Sequence, residues 1–519
     1  MGIKRYFADK NNTITNAYQL NLVTRATGSN AGLSDSLEIF SIYAQAYSAS
    51  NEQSRILVQF PVTSSILSGV TTILADRQSN VLPASGNVDF YLRLFNVATD
   101  QTLPRNFTLV VTPISQAWEE GSGVDLGNHT DLTYDGTGSN WVNAKAHTYW
   151  TNNNGTSLSG GSFLSASWAG SPVETYDGYN YKQTFGPSGV GDLDINITGL
   201  VEQWIKGIDS DGYANYGAGI HLVASQESGN QSYYTKRFSA RESEYFFSRP
   251  IIEARWNSST KDNRGNFIIS SSNSNAANNL NTIYLYNYVR GQPTNLYKVG
   301  TDPINLRVYT SAASGEVINA VGSGTYTYLT AVTGGWVSTG VYSASFALDT
   351  TASIVYDRWF SGSGYGAAID DGTTVIYHTG SFKPTKFDSL GNYFIPRFVT
   401  TITNLQSSYS TKDRARLRLF TRLKNWDPTI YTVASTQIKN YFVDDAYYKI
   451  YRIIDNQNVV SYGTGSLNYT KLSYDVSGSY FDLNTRLLEG GYSYGIRFVY
   501  YINGAYEEQP EIFKFRVDG

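Results

Sequence analysis

Ala415-Arg416-Leu417-Arg418-Leu419-Phe420-Thr421-Arg422-Leu423-Lys424 sets Ala415, Leu417, Leu419 and Leu423 on one face at a period of two. Successive strand side chains point to opposite sides, so this spacing reads as a β-strand with one face in a core. The other face is a basic stripe: Arg414, Arg416, Arg418, Arg422 and Lys424. It reads as a solvated strand face or as one paired with neighbouring strands, with an acidic surface on a partner as the alternative. The same period returns at Ile496, Phe498, Tyr500 and Ile502, and again at Phe513, Phe515 and Val517.

Upstream, Val88-Asp89-Phe90-Tyr91-Leu92-Arg93-Leu94-Phe95 reads as a β run closed by Asn96, and Phe107-Thr108-Leu109-Val110-Val111 as the next. Further strands fall at 282–289, 304–309 and 341–348. A single segment, Leu200-Val201-Glu202-Gln203-Trp204-Ile205-Lys206, reads as helix, with Thr198 as N-cap candidate and Gly207 at its end. Two turns do not stand alone, so this helix is expected to plug the open end of a sandwich.

Composition supports the all-β reading. The 42 Tyr and 47 Gly fit strands joined by turns. Only 16% of residues are charged, so neutral Ser, Thr, Asn and Gly must finish the surface. The balance of 39 basic against 43 acidic residues argues against direct nucleic-acid binding. Zero cysteines exclude disulfides, thiolate nucleophiles and cysteine-ligated metals. Met1-Gly2-Ile3-Lys4-Arg5-Tyr6 lacks a signal-peptide core, and no stretch is long and apolar enough for a membrane span, so synthesis in a cytosol without membrane association is expected.

Breaks in the pattern divide the chain. Ile251-Ile252-Glu253-Ala254-Arg255-Trp256 reads as a closing strand, followed by the polar linker Asn257-Ser258-Ser259-Thr260-Lys261-Asp262-Asn263. A second boundary falls near Phe382-Lys383-Pro384-Thr385-Lys386, and Gly322-Ser323-Gly324 and Gly362-Ser363-Gly364-Tyr365-Gly366 read as turns or loop tips. Three consecutive β-sandwich domains are expected: 1–257, jelly-roll-like with an N-terminal arm and one short helix, then 258–385 and 386–519, both Ig-like.

The first domain carries an ordered series of signatures. They are Gly28-Ser29-Asn30-Ala31-Gly32, Ser54-Arg55-Ile56-Leu57-Val58-Gln59-Phe60-Pro61-Val62, Ser115-Gln116-Ala117-Trp118-Glu119-Glu120-Gly121, Asn140-Trp141, Tyr216-Gly217-Ala218-Gly219-Ile220, Phe238-Ser239-Ala240-Arg241-Glu242 and Arg249-Pro250-Ile251-Ile252-Glu253. In that order they resemble the DNRLRE-type carbohydrate-binding module, which implies a sandwich and sugar binding. The long insert between Asp125 and Asp194 departs from it. The opening Gly2-Ile3-Lys4-Arg5-Tyr6-Phe7-Ala8-Asp9, with Asp444-Asp445-Ala446-Tyr447-Tyr448-Lys449 and Ser473-Tyr474-Asp475-Val476-Ser477-Gly478, resembles virion structural proteins of contractile-tailed marine bacteriophages. That implies a non-enzymatic, neck- or tail-associated virion component assembling in multiple copies with other virion proteins. The alternative is an adhesin contacting host glycan.

No cofactor is expected. Glu119-Glu120 beside Trp118 cannot flank one glycosidic bond, because neighbours on a strand face opposite ways. Asp125, His129, Asp131 and Asp135 have hard-cation character without EF-hand spacing, so a fortuitous cluster and a bound calcium ion both stay open. His147, His221 and His378 are isolated from any nucleophile and acid. Tyr149, Trp150, Phe163, Trp168, Tyr176, Tyr179 and Tyr181 crowd the Gly/Ser/Asn-rich insert. They are candidates for a satellite core, for subunit contacts or for glycan stacking.

Overall fold

The computed structural model describes residues 2–98, 106–124, 137–152, 154–164, 181–207, 212–312, 315–322, 328–361, 374–386, 396–424 and 438–519. The all-β expectation holds. The chain divides into two units, Gly2–Asn257 and Ser258–Gly519.

In the first unit, a four-stranded antiparallel sheet runs Ile3–Phe7, Ile251–Arg255, Asp89–Leu94, Leu193–Asn196 in spatial order. Facing it, the larger sheet runs Lys182–Phe185, Phe107–Pro113, Ala218–Leu222, Asn51–Gln59, Ser36–Tyr43, Tyr233–Ser239, Asn96–Val97, with Lys10–Thr15 paired to Asn51–Gln59. Phe90, Leu92 and Leu94 from one sheet meet Ile56, Val58, Leu109, Val111, Ile220 and Phe238 from the other in a single core. Burying side chains of this size stabilises by about 1.5–3 kcal/mol each. Asn96 does not end its run. The chain leaves the four-stranded sheet at Phe95, and Asn96–Val97 joins the opposite sheet against Arg237 and Phe238. This exchange of sheets gives the jelly-roll-like connectivity.

The helix Thr198–Lys206 buries Leu200, Val201 and Trp204 in that core. Thr198 is its first residue and not its N-cap. Its Oγ1 accepts from Phe90 N at 2.8 Å, and Asn196 Oδ1 accepts from Thr198 N at 3.0 Å. Gly207 closes the helix at φ +69°, a conformation that favours glycine. Two further helices, Ile73–Gln78 and Ala224–Glu227, correct the expectation of one. The first is capped by Thr72, whose Oγ1 accepts from Ala75 N at 3.1 Å. Both are too short to show an apolar period.

The second unit holds two sandwiches. In the first, Asn281–Tyr286, Val341–Leu348 and Ala320–Gly322 form one half, and Ile304–Tyr309, Val355–Ser361 and Val375–Phe382 the other. Val332–Ser338 pairs into both halves. Ile283 and Phe346 meet Leu306, Trp359 and Phe382 between them. Gly322 ends a strand, while Gly324 and Gly362 to Gly366 lie outside the described residues.

In the last sandwich, a four-stranded sheet runs Phe398–Ile402, Arg414–Leu423, Gly478–Asn484, Ser473–Asp475. The six-stranded sheet opposite runs Ser408–Ser410, Phe513–Asp518, Ser493–Ile502, Ala446–Arg452, Asn458–Val460, with Ala505–Glu508 at its side. The period-two faces are the inner ones: Leu417, Leu419, Ile496, Phe498, Tyr500, Phe515 and Val517 are all buried. Phe481 bridges the sheets, stacked on Tyr448 at 4.3 Å and edge-on to Phe498 at 6.0 Å.

The segment read as a linker is itself paired. Tyr474 N donates to Thr260 O and Asp262 N to Tyr474 O, both at 3.0 Å, while Arg264 grips the buried Asp357 carboxylate at 2.6 and 2.8 Å. Gly380 leaves room for that grip, since a Cβ there would lie 2.7 Å from Arg264 Nη1. Burial raises the Asp262 carboxyl to about 6, against the hydrogen bond from Arg264 N and the Arg264 charge. A carboxyl raised in the folded state costs stability once pH passes its unfolded value, and the cost grows until pH passes about 6. Asp262→Asn keeps the acceptor and removes the charge. Denaturant unfolding is expected to show it about 1–2 kcal/mol more stable at pH 7 and unchanged near pH 4.

Candidate binding surfaces

Outside the larger sheet of the first unit lies a second apolar layer. The short strands Asn143–Lys145, Thr148–Thr151 and Ser157–Leu158 form a small antiparallel sheet. Beneath it, Trp118, Trp141, Trp150 and Ala144 pack on Ile14, Leu57 and Ile114, with Phe163 and Tyr216 alongside. The Trp150 indole donates to Asn140 O at 2.8 Å and that of Trp118 to Tyr216 O at 2.7 Å, so neither ring buries an unmade bond. Arg55 lies over Trp141 and Phe163, donates to Gly160 O and grips Glu227. Lys10 Nζ sits 4.3 Å from the Trp118 ring centre and donates to Trp118 O, and burial brings its ammonium down to about 8 against the pull of Glu120.

Asparagines bind this layer to the sandwich. Asn12 donates to Ser139 O and accepts from Ala31 N. Asn30 Oδ1 accepts from Gly123 N, and Asn11 Oδ1 from Arg241 N.

This geometry sorts the aromatic candidates. Trp150 is fully buried, which corrects its candidacy as a surface ring: it holds the insert down and reaches neither glycan nor partner. Phe163 is half-buried against the same layer, 5.5 Å from His221. Tyr181 is buried in the main core. Tyr149 alone of the described members is exposed, at 56%. Trp168, Tyr176 and Tyr179, with Asp125, His129, Asp131 and Asp135, lie outside the described residues. Among the described residues no three acidic or histidine side chains are placed to hold a metal ion.

The charged candidates are engaged in structure. Glu120 is gripped by Arg241 at 2.9 Å and accepts from Asn11 N at 2.8 Å, while Glu119 is exposed. His221 is partly buried, with Thr112 Oγ1 and Leu222 O at its ring nitrogens, and desolvation lowers its pKa. In the basic stripe, Arg416 pairs with Asp482 at 2.8 Å and Arg418 with Asp475 at 2.9 Å. Both guanidiniums lie over Tyr480, 4.2 and 5.5 Å from its ring centre. Arg422 turns to its neighbour's carbonyl, Leu423 O, and Arg414 and Lys424 stand at the two ends of the strand. Asp482 on the strand Gly478–Asn484 and Asp475 at the end of Ser473–Asp475 thus supply the countercharge to Arg416 and Arg418.

A cluster that sequence reading missed lies on the four-stranded sheet of the first unit. The buried Glu253 carboxylate accepts from Arg5 and Arg255 at 2.8 Å and from Arg93 at 3.3 Å. Burial alone would raise this carboxyl, but the charges of Arg5, Arg93 and Arg255 outweigh it and hold it at about 2. Arg255 also reaches Asp194 at 3.1 Å and lies 4.0 Å from the Tyr91 ring centre. A buried carboxylate held ionised by three guanidiniums has no proton to donate and is a poor base.

No protein-family model matches the chain, and no curated protein does. Among solved structures, a marsupial T cell receptor aligns with 42% of this chain and 63% of its own, at 10% identity and a TM-score of 0.15. The native alpha-2-macroglobulin of E. coli aligns with 89% of this chain and 21% of its own, at 10% identity and a TM-score of 0.14. Its trypsin-activated form aligns over 80% and 29%, at 9% identity and a TM-score of 0.14. The chain spans less than two thirds of each, and scores this low carry no argument about function.

Proposed function

We propose that this protein is a non-enzymatic structural component of a tailed-phage virion, associated with the neck or tail and assembling in multiple copies with other virion proteins. One observation carries the assembly part of this reading. Val375–Phe382 ends its sheet order as an eight-residue strand, largely exposed and with no Lys, Arg, Asp or Glu. The strands at the ends of the other described sheet orders are shorter, with Ile3–Phe7 and Phe398–Ile402 next at five residues. Soluble chains blunt their edges with charge, proline or short length, because an open edge recruits another strand. A register shift between Trp359 and Phe360 bends one end and leaves residues 378–382 as a regular run.

Support against catalysis comes from Glu120 and Glu253, both committed to arginine. The adhesin reading of the first sandwich loses its central ring with the burial of Trp150. Among the described residues no strand pairs the outer edge of Val375–Phe382, where Thr379 is exposed opposite Arg358 of its own sheet, so Thr379→Glu is expected to be tolerated by the fold. It places like charges against each other when two such edges pair. Sedimentation of the full chain is expected to show self-association weakened about tenfold or more in Thr379→Glu. A wild-type chain that stays monomeric, or association indifferent to this change, counts against the reading.

A further inference from the structure

The first sandwich of the second unit displays rings that its strand pattern leaves unexplained. Tyr288, Tyr297 and Trp336 are 58%, 81% and 36% exposed, and Val289 and Val337 beside them are exposed too. The backbone under them is clamped. Tyr288–Val289 pairs with Gln292–Pro293 across a tight turn in which Arg290 and Gly291 both take positive φ, +52° and +80°. Asn287 N donates to Gly340 O at 2.7 Å, and Asn287 Nδ2 to Thr294 O at 2.6 Å, tying this hairpin to the sheet.

The next residues are held as firmly. Leu296 sinks into the core, its N–H donating to the buried Tyr342 hydroxyl at 3.0 Å, which donates in turn to Gly300 O at 2.5 Å. Tyr377 OH donates to Tyr297 O at 2.7 Å. Asn295 Oδ1 accepts both the Trp336 indole at 3.1 Å and Gly340 N at 2.8 Å, which sets Trp336 against the same segment.

Rings held in water on a fixed backbone suit a ligand with flat apolar faces and a hydroxylated rim, and a sugar ring has both. The surrounding polar groups are neutral amides and hydroxyls: Asn287, Gln292, Thr294 and Asn295. Charge narrows the class. From Asn263 to Thr301 the sequence holds no Asp or Glu but three cations. Arg264 is spent on Asp357, and Arg290 and Lys298 are exposed, Lys298 Nζ lying 5.8 Å from the Tyr297 ring centre.

We propose that this patch binds an anionic polysaccharide, with sugar faces stacked on Tyr288, Tyr297 and Trp336 and its carboxylates or phosphates met by Arg290 and Lys298. The proposal concerns a different sandwich from the one whose sequence resembles a carbohydrate-binding module, and it does not rest on virion membership. The competing occupant is an acidic face of a second copy.

Affinity electrophoresis of the full chain in gels containing polygalacturonate, a phosphate-bearing teichoic acid, or neutral dextran decides it. At least one anionic polymer is expected to retard the wild type more than dextran does, and added salt to relieve the retardation. Tyr297→Ala and the double variant Arg290→Gln/Lys298→Gln are each expected to weaken binding roughly tenfold. Unchanged melting temperatures in both variants separate this loss from unfolding, since all three side chains are exposed. Failure of both anionic polymers to retard the wild type overturns the proposal, as does retardation that survives both variants. Loss of self-association in Tyr297→Ala, with no effect on retardation, assigns the patch to a second copy instead.

Discussion

Glu253→Ala is expected to unfold the first sandwich at markedly lower denaturant than wild type. The variant leaves Arg5, Arg93 and Arg255 facing one another with the partly exposed Asp194 as their remaining named carboxylate. Removing one partner of a buried ion cluster costs about 3–5 kcal/mol, because the surviving charges stay desolvated. For a unit of this size that is roughly 10 °C of melting temperature. Glu253→Gln, which keeps shape and one acceptor, is expected to recover part of the loss.

The same cluster sets an acid limit. The folded carboxyl lies at about 2, below its ordinary 4.5. Its contribution is therefore complete above about 4.5 and is lost as pH falls toward 2. The difference amounts to roughly 3 kcal/mol. Wild type is expected to lose stability steeply over that range and Glu253→Ala much less. A loss under about 1 kcal/mol at pH 7, with parallel acid profiles, contradicts the assignment.

Trp150→Ala is the second large effect, and it is local. Truncating a fully buried tryptophan costs about 3–5 kcal/mol, since the surrounding side chains close the cavity only in part. Trp150 packs with Trp118 and Trp141 in the outer layer, apart from the main core. Hydrogen exchange is therefore expected to show lost protection in Asn143–Lys145, Thr148–Thr151 and Ser157–Leu158 while Ile56, Val58 and Phe90 stay protected. Uniform loss across both layers contradicts two separable cores. Unchanged protection in those three strands contradicts the placement of Trp150.

The strands were legible where one face is apolar. Leu417 and Leu419, and Ile496, Phe498 and Tyr500, announce their buried face through a period of two that needs no distant partner. The helix at Leu200 was legible for the same local reason, though not its cap, because Thr198 serves the distant Phe90 N–H. Trp150 was not legible. Its neighbours Ile14, Leu57 and Ile114 come from strands far away in sequence, and nothing around it is periodic. The stripe at Arg416 and Arg418 was visible as a stripe, but the carboxylates that neutralise it lie 66 and 57 residues on. The register of Arg416 on Asp482 brings the first across, and the pairing of Ser473–Asp475 with Gly478–Asn484 brings the second. Glu253 and Arg5, 248 residues apart, meet by the same kind of pairing. Charge pairing across sheets is a property of register, and register is set by the whole sandwich.

The reading as a multi-copy virion component is tested most directly by a whole-particle reconstruction of purified phage carrying this chain. The account predicts density for the two-sheet sandwich of Gly2–Asn257 and both sandwiches of Ser258–Gly519 at symmetry-related positions of the neck or tail, with Val375–Phe382 paired to a neighbouring chain. Particles that lack this density, together with a chain recovered only in the soluble fraction of the lysate, would contradict it.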